Sequence, residues 1–251
     1  MLTRALVLLA ATSLYGCAPP DVDLVTLTDE PIIGGSTDNS DPSVVAVFAH
    51  APGSNSGSLC TGTVISAHAV LTAAHCVDPA VVGSGMQFEV IPGTTLSLAN
   101  ALAVSSTAYD TAFNANNLSA GHDVGIVRLA SATTLKPVPY NTAALPSSTL
   151  STSVRLVGYG SNTHANAGAG TKRTVTTSVD DYSSLLVHIG LSSKQTCHGD
   201  SGGPALQTIN GVETVIGVTS FGSDASASNV CNGGGYDTRI DRYSSFINGH
   251  L

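Results

Sequence analysis

The stretch TCHGDSGGPAL, Thr196 to Leu206, sets Ser201 between Asp200 and two glycines and follows them with a proline. A serine hydroxyl is a weak nucleophile until a base takes its proton, and the base needs a carboxylate to orient it. Asp200 adjoins Ser201 in the chain, where successive side chains point different ways. The orienting carboxylate must therefore come from elsewhere, and Asp200 serves another purpose. Two further stretches offer the missing groups: VLTAAHC, Val70 to Cys76, carries His75, and GHDVGIVRL, Gly121 to Leu129, carries Asp123. Taken singly, either residue reads as a structural or solvated group in a β-rich chain. Their significance lies in the combination.

The elements that must position these groups are strands. Apolar and β-branched runs occur at Val44 to Phe48, Thr61 to Ile65, Val70 to Thr72, Phe88 to Ile91, Ile126 to Leu129, Val154 to Val157, Thr174 to Val179, Leu185 to Ile189 and Val212 to Thr219. Short Gly, Ser, Asn and Pro clusters separate them, which predicts an all-β sandwich or barrels. Only DRYSSFINGH near the end has apolar residues at helical spacing, starting from an Asp cap at Asp241. Thr142 to Ser153, rich in Ser, Thr and Pro, reads as a connection between two halves. A chain of 251 residues is long enough for one large β domain or two small barrels sharing a cleft.

Composition narrows the function. Charged residues are 10% of the chain, with 17 acidic against 9 basic, and no basic cluster exceeds the pair Lys172-Arg173. Nucleic acid is therefore not an expected partner. The beginning, MLTRALVLLAATSLYGC, has a basic start at Arg4, an apolar run too short to span a bilayer, and a small-residue stop, which predicts an export signal over 1–16. Leu14 to Cys17 resembles the lipobox of bacterial lipoproteins, which would make Cys17 a lipidated N-terminus; ordinary signal cleavage after Ala18 is the alternative. Five cysteines in an exported chain leave one over if the others pair, and acylation of Cys17 accounts for it. Residues 17–31, with prolines and acids at both ends, read as a pro-segment or linker.

Together and in this order, the His75, Asp123 and Ser201 blocks, with IIGG at Ile32, GYG at Gly158 and SFG at Ser220, resemble the trypsin/chymotrypsin family of serine proteases, in its bacterial form. The resemblance implies an all-β fold of two six-stranded antiparallel β-barrels, about 32–140 and 141–240, and a C-terminal helix at about 241–249. It implies His75 as general base, Asp123 as its orienting carboxylate and Ser201 as the nucleophile that forms an acyl-enzyme. Gly199 and Ser201 would supply oxyanion-hole amides. Bridges Cys60–Cys76 and Cys197–Cys231 are implied too, each worth about 3 kcal/mol in the chain-entropy model. Asp200 would pair with the α-amino group freed by cleavage before Ile32, so the chain would be a zymogen. Pro31 precedes that cut where relatives carry a basic residue, so the activating protease is unusual and unknown.

For the primary pocket the resemblance implies a floor at Gln195 and surrounding positions Thr196, His198, Ser220, Phe221, Gly222 and Gly235. A neutral amide floor between glycine walls favours a large uncharged side chain rather than Arg or Lys before the scissile bond. A one-residue slip in the alignment would bring Asp237 to the pocket and restore a basic preference. His50, His68, His122, His164, His188 and His250 show no metal-ligand spacing, and no metal or other cofactor is expected. The expected partners are protein or peptide substrates, an activating protease, and a membrane tether through Cys17 before activation. The expected location is the outer membrane, the periplasm or outside the cell. A catalytically silent binding protein on the same fold and an esterase are the rival readings.

Overall fold

The computed structural model describes residues 32–162, 168–191, 193–226 and 229–251. The expected export signal, the pro-segment, Cys17 and His164 lie outside the described residues. The first barrel is built from β2 (Val44–His50), β3 (Gly57–Val64), β4 (Ala69–Thr72), β5 (Gln87–Ile91), β6 (Leu102–Tyr109) and β7 (Gly125–Leu129). Its strands run in the order β2-β3-β4-β7-β6-β5, all antiparallel, and β5 closes back on β2. Closure removes the unpaired edges that an open sheet would expose.

The second barrel takes β8 (Ser153–Gly158), β9 (Arg173–Tyr182), β10 (Leu186–Ile189), β11 (Pro204–Ile209), β12 (Val212–Ser226) and β13 (Asn229–Arg239). Its ring is β8-β9-β10-β13-β12-β11, closed by β11 on β8, and the two-residue β1 (Ser36–Thr37) is added to β9. The chain ahead of the first barrel is thus fastened to the second. The fold is two closed six-stranded antiparallel barrels, as the family resemblance implies.

Strand β2, VVAVFAH, is buried along its whole length because both faces are covered. Val45 and Val47 join the main core, while Ala46 and Phe48 pack with Ile91 and Tyr159. That main core runs across both barrels, joining Leu71 and Val127 of the first to Val157, Leu206 and Val218 of the second and to Ile247. Burial of each such Val, Leu or Ile contributes about 1.5–3 kcal/mol, so the seam between the barrels is packed as firmly as their interiors.

Three long strands depart from the apolar runs read in the sequence. LAVSSTAY of β6 is mostly small and polar, PALQTI of β11 adjoins the serine motif, and β13 contains three consecutive glycines. Their pairing comes from neighbours on the barrel rather than from their own propensity. The C-terminal helix is also shorter than expected. A 3-10 turn occupies Ile240–Arg242, and α2 spans Ser244–Asn248 with Tyr243 at its N-cap. Asp241 does not cap it, because its carboxylate is engaged by the Arg239 guanidinium at 2.7 and 3.0 Å. A one-turn helix α1 (Pro79–Val82), capped by Asp78 through the Ala80 amide, follows the His75 turn.

Candidate active site

His75 lies in the 3-10 turn Ala74–Cys76 at the end of β4, and Asp123 precedes β7. Because β4 and β7 are hydrogen-bonded neighbours, the two side chains are delivered to one end of the first barrel. Asp123 is fully buried and its carboxylate is saturated. Oδ1 accepts the His75 backbone amide at 2.9 Å, and Oδ2 accepts from His75 Nδ1 at 2.7 Å. Ser220 Oγ, from β12 of the second barrel, donates to the same Oδ2 at 2.5 Å. An acceptor-only carboxylate at this place holds the imidazole with Nδ1 as the donor, leaving Nε2 as the free ring nitrogen. The His75 side chain keeps 21% of its surface exposed.

Ser201 belongs to the second barrel but is held by the first. Its carbonyl accepts the Thr61 amide of β3 at 2.8 Å, and the Gly199 carbonyl accepts Thr61 Oγ1 at 2.9 Å. The Cys60–Cys76 bridge stands between the two halves of the site. Cys76 Sγ is 3.6 Å from the Ser201 carbonyl oxygen, and a ring nitrogen of His75 is within 4.8 Å of both sulfurs. Those sulfurs are bonded to each other and offer no thiolate to a metal. Gly199 has φ 95°, a conformation that favours glycine. Neither its amide nor that of Ser201 has a hydrogen-bond partner among the described residues, whereas the amides of Cys197, Asp200, Gly202 and Gly203 do.

A cavity of about 220 Å³ opens beside Ser201 and is bounded by Thr196, His198, Thr219, Ser220, Phe221 and Gly222, with the Cys197–Cys231 bridge. His198 is exposed at its rim. Gln195 and Gly235 lie behind this surface rather than on it. The Gln195 amide is fully buried and tied to the backbone, Nε2 donating to the Cys231 carbonyl at 2.8 Å and Oε1 accepting the Gly234 amide at 3.0 Å. A Cβ on Gly235 would come to 3.1 Å of Thr196 Oγ1. Thr219 and the bond from Ser220 to Asp123 have no counterpart in the sequence reading, where Ser220 is only a pocket position.

Asp200 is buried beside Ser201 and turns away from it. Oδ1 accepts the Gly160 amide at 2.7 Å and Oδ2 the Cys197 amide at 2.8 Å. Burial pushes its carboxyl up to about 7, against the pull of those two amides and of Arg173. Ile32 is fully buried in the second barrel with Val154, Leu156, Val187 and Ile216. The carbonyl of its neighbour Ile33 accepts the backbone amide of Gln195, and the Ile33 side chain packs on the Cys197–Cys231 bridge. Gly34, at φ 74°, lies so close to the Ser193 carbonyl that no side chain fits.

The trypsin family profile matches residues 32–247. The chain belongs to the trypsin family. It is 31% identical over 245 residues to chymotrypsin-like elastase family member 1 of Bos taurus, covering 88% of this chain and 90% of the relative. The Rattus norvegicus elastase of the same description is 31% identical over 265 residues, covering 95% of each. Trypsin, alkaline C, of Manduca sexta is 26% identical over 253 residues, covering 90% of this chain and 93% of the relative. Membership of the trypsin family makes the chain a serine endopeptidase, and the two bridges between its described cysteines agree with the pairing that the resemblance implies.

Proposed function

We propose that Ser201 attacks the peptide carbonyl with His75 as its base and Asp123 as the orienting carboxylate, forming an acyl-enzyme that water, deprotonated by His75, hydrolyses. The observation that carries this reading is the buried Asp123 carboxylate, bonded twice to His75. The unpartnered amides of Gly199 and Ser201 are the donors to the developing oxyanion, a contribution worth about 2.7–4 kcal/mol per donor. Covalent labelling by a fluorophosphonate tests it. Wild-type enzyme with a free Ile32 amine should label and Ser201→Ala should not, whereas an unlabelled wild type would favour a silent binder.

The chain is made as a precursor. Support comes from Ile32, already seated in the second barrel, and from Asp200, a buried acid held only weakly in its charged form. Cleavage before Ile32 would place an ammonium beside it and fix the Ser201 loop, and leaving such a pair half made costs on the order of 3–5 kcal/mol. N-terminal sequencing of the active form should read Ile32. The buried, backbone-tied Gln195 supports a preference for uncharged side chains before the scissile bond at neutral pH. Two disulfides support export to an oxidising compartment. With four cysteines paired, Cys17 is the one left for a lipid tether. Activation then releases the catalytic part, and fractionation before and after the cut would follow it from membrane to soluble phase.

A further inference from the structure

We propose that Asp237, with Thr219, determines specificity at the end of the primary pocket, its carboxyl accepting uncharged side chains when protonated and binding a cationic one when ionised. The inference rests on the peptidase reading above. Asp237, on β13, is 1% exposed, and neither of its carboxyl oxygens has a hydrogen-bond partner. Thr219 is its register partner on β12, and the Thr219 hydroxyl is also buried and unpartnered. Three orphaned oxygens meet there, and each one left unsatisfied costs about 1–3 kcal/mol. A wall built only for packing would carry aliphatic side chains.

The place ties these oxygens to substrate. Thr219 lines the cavity beside Ser201. Gly235, two residues before Asp237 and on the same face of β13, backs onto Thr196 of that cavity. Across from Asp237, a Cβ on Gly217 would lie 2.9 Å from Asp237 Cβ and 3.2 Å from Oδ2, so the missing side chain leaves the carboxyl its room. A side chain that enters past Thr196 and Thr219 and ends in an amidinium or ammonium would supply the donors the three oxygens lack.

Around the carboxyl, β10 contributes Val187 as register partner, and β12 contributes Gly217 and Thr219. None of these titrates. Burial pushes Asp237 up to about 8, with the Thr219 hydroxyl near enough to pull the other way without completing a hydrogen bond. The end of the pocket is therefore uncharged at neutral pH, as is the buried Gln195 side chain behind its wall. Between pH 7 and pH 9 the ionised fraction rises from about one-tenth to about nine-tenths, so affinity for a cation rises about tenfold.

Benzamidine, an aromatic amidinium, is the probe, used on the activated enzyme after fluorophosphonate titration of its active sites. The inhibition constant of the wild type should fall about tenfold from pH 7 to pH 9. In Asp237→Asn it should stay flat, and in Thr219→Val the fall should shrink. His75, Asp200 and the Ile32 amine are common to all three proteins, so the differences between them isolate Asp237. A flat wild-type profile overturns the inference, as does an undiminished fall in either variant. Should Asp237→Asn fail to fold, the wild-type and Thr219→Val profiles decide. Absence of labelling sinks the peptidase reading, whereas a labelled enzyme with a flat profile sinks this inference alone.

Discussion

Replacing Gly160 with alanine tests whether the carboxylate beside the nucleophile is held by shape as well as by hydrogen bonds. Gly160 donates its amide to Asp200 Oδ1, and its φ lies outside the left-handed region, so the backbone itself tolerates alanine. The added Cβ, however, would stand 2.4 Å from the carboxyl carbon of Asp200 and 2.6 Å from its amide nitrogen and Oδ1, where ordinary contact begins at 3.4 Å. Relief requires a displacement of about 1 Å. Asp200 is bonded in the chain to Gly199 and Ser201, so the displacement passes to the proposed nucleophile and to the two amides proposed to bind the oxyanion. A misplacement near 1 Å at a catalytic group costs about 100-fold, close to 2.7 kcal/mol of transition-state stabilisation. The assay is kcat/KM on a peptide amide, measured beside the rate of fluorophosphonate labelling and a thermal melt. Both rates should drop about 100-fold while Tm falls by only a few degrees. An activated Gly160→Ala enzyme within about threefold of wild type would refute the steric argument.

Three other perturbations give distinct readouts. Ser220→Ala removes one of the three donors to Asp123, a charge-assisted bond worth about 1.5–3 kcal/mol; kcat should fall about tenfold with KM nearly unchanged, and unaltered steady-state kinetics would show that the bond contributes nothing. Cys60→Ala/Cys76→Ala opens a loop of sequence separation 16 and should cost about 3 kcal/mol, or roughly 6–12 °C in Tm by scanning calorimetry. In the uncleaved chain, burial lifts Asp200 to about 7 and Asp237 to about 8, while both unfold to the ordinary 3.8. The folded state therefore holds more protons above pH 4, and stability falls as pH rises toward 8, by up to about 1.4 kcal/mol per pH unit for each acid. Urea melts of the Ser201→Ala precursor at pH 5 and pH 7.5 should differ in this direction, and equal midpoints would contradict it.

The legible parts of this chain are those in which chemistry or period is local. His75, Asp123 and Ser201 each sit in a short stretch whose neighbours have a stated purpose, and strands such as β2 announce themselves by consecutive β-branched residues. What the chain hides is set by partners far away. The Ser220 hydroxyl reaches Asp123 across a separation of 97 residues, because β12 passes the residues that lead into β7. Asp241 looks like a helix cap until Arg239, two residues earlier, takes its carboxylate. Strand β13 has the glycines of a loop and lies between β10 and β12. Asp237 could be placed only by register, since a slip of one residue along that strand would turn it to the other face.

Thr61 has a consequence for anyone who would regulate or re-engineer this molecule. It reaches over from the first barrel to take hold of Gly199 and Ser201, and its hydroxyl also receives the Tyr159 amide at 3.0 Å. Ser201, the proposed nucleophile, is thereby hinged through its backbone to the half of the protein to which it does not belong. A wedge driven into the back of the seam, far from any substrate, would disarm the enzyme by moving that one threonine. Loops around the pocket can be exchanged freely only while this clasp stays shut.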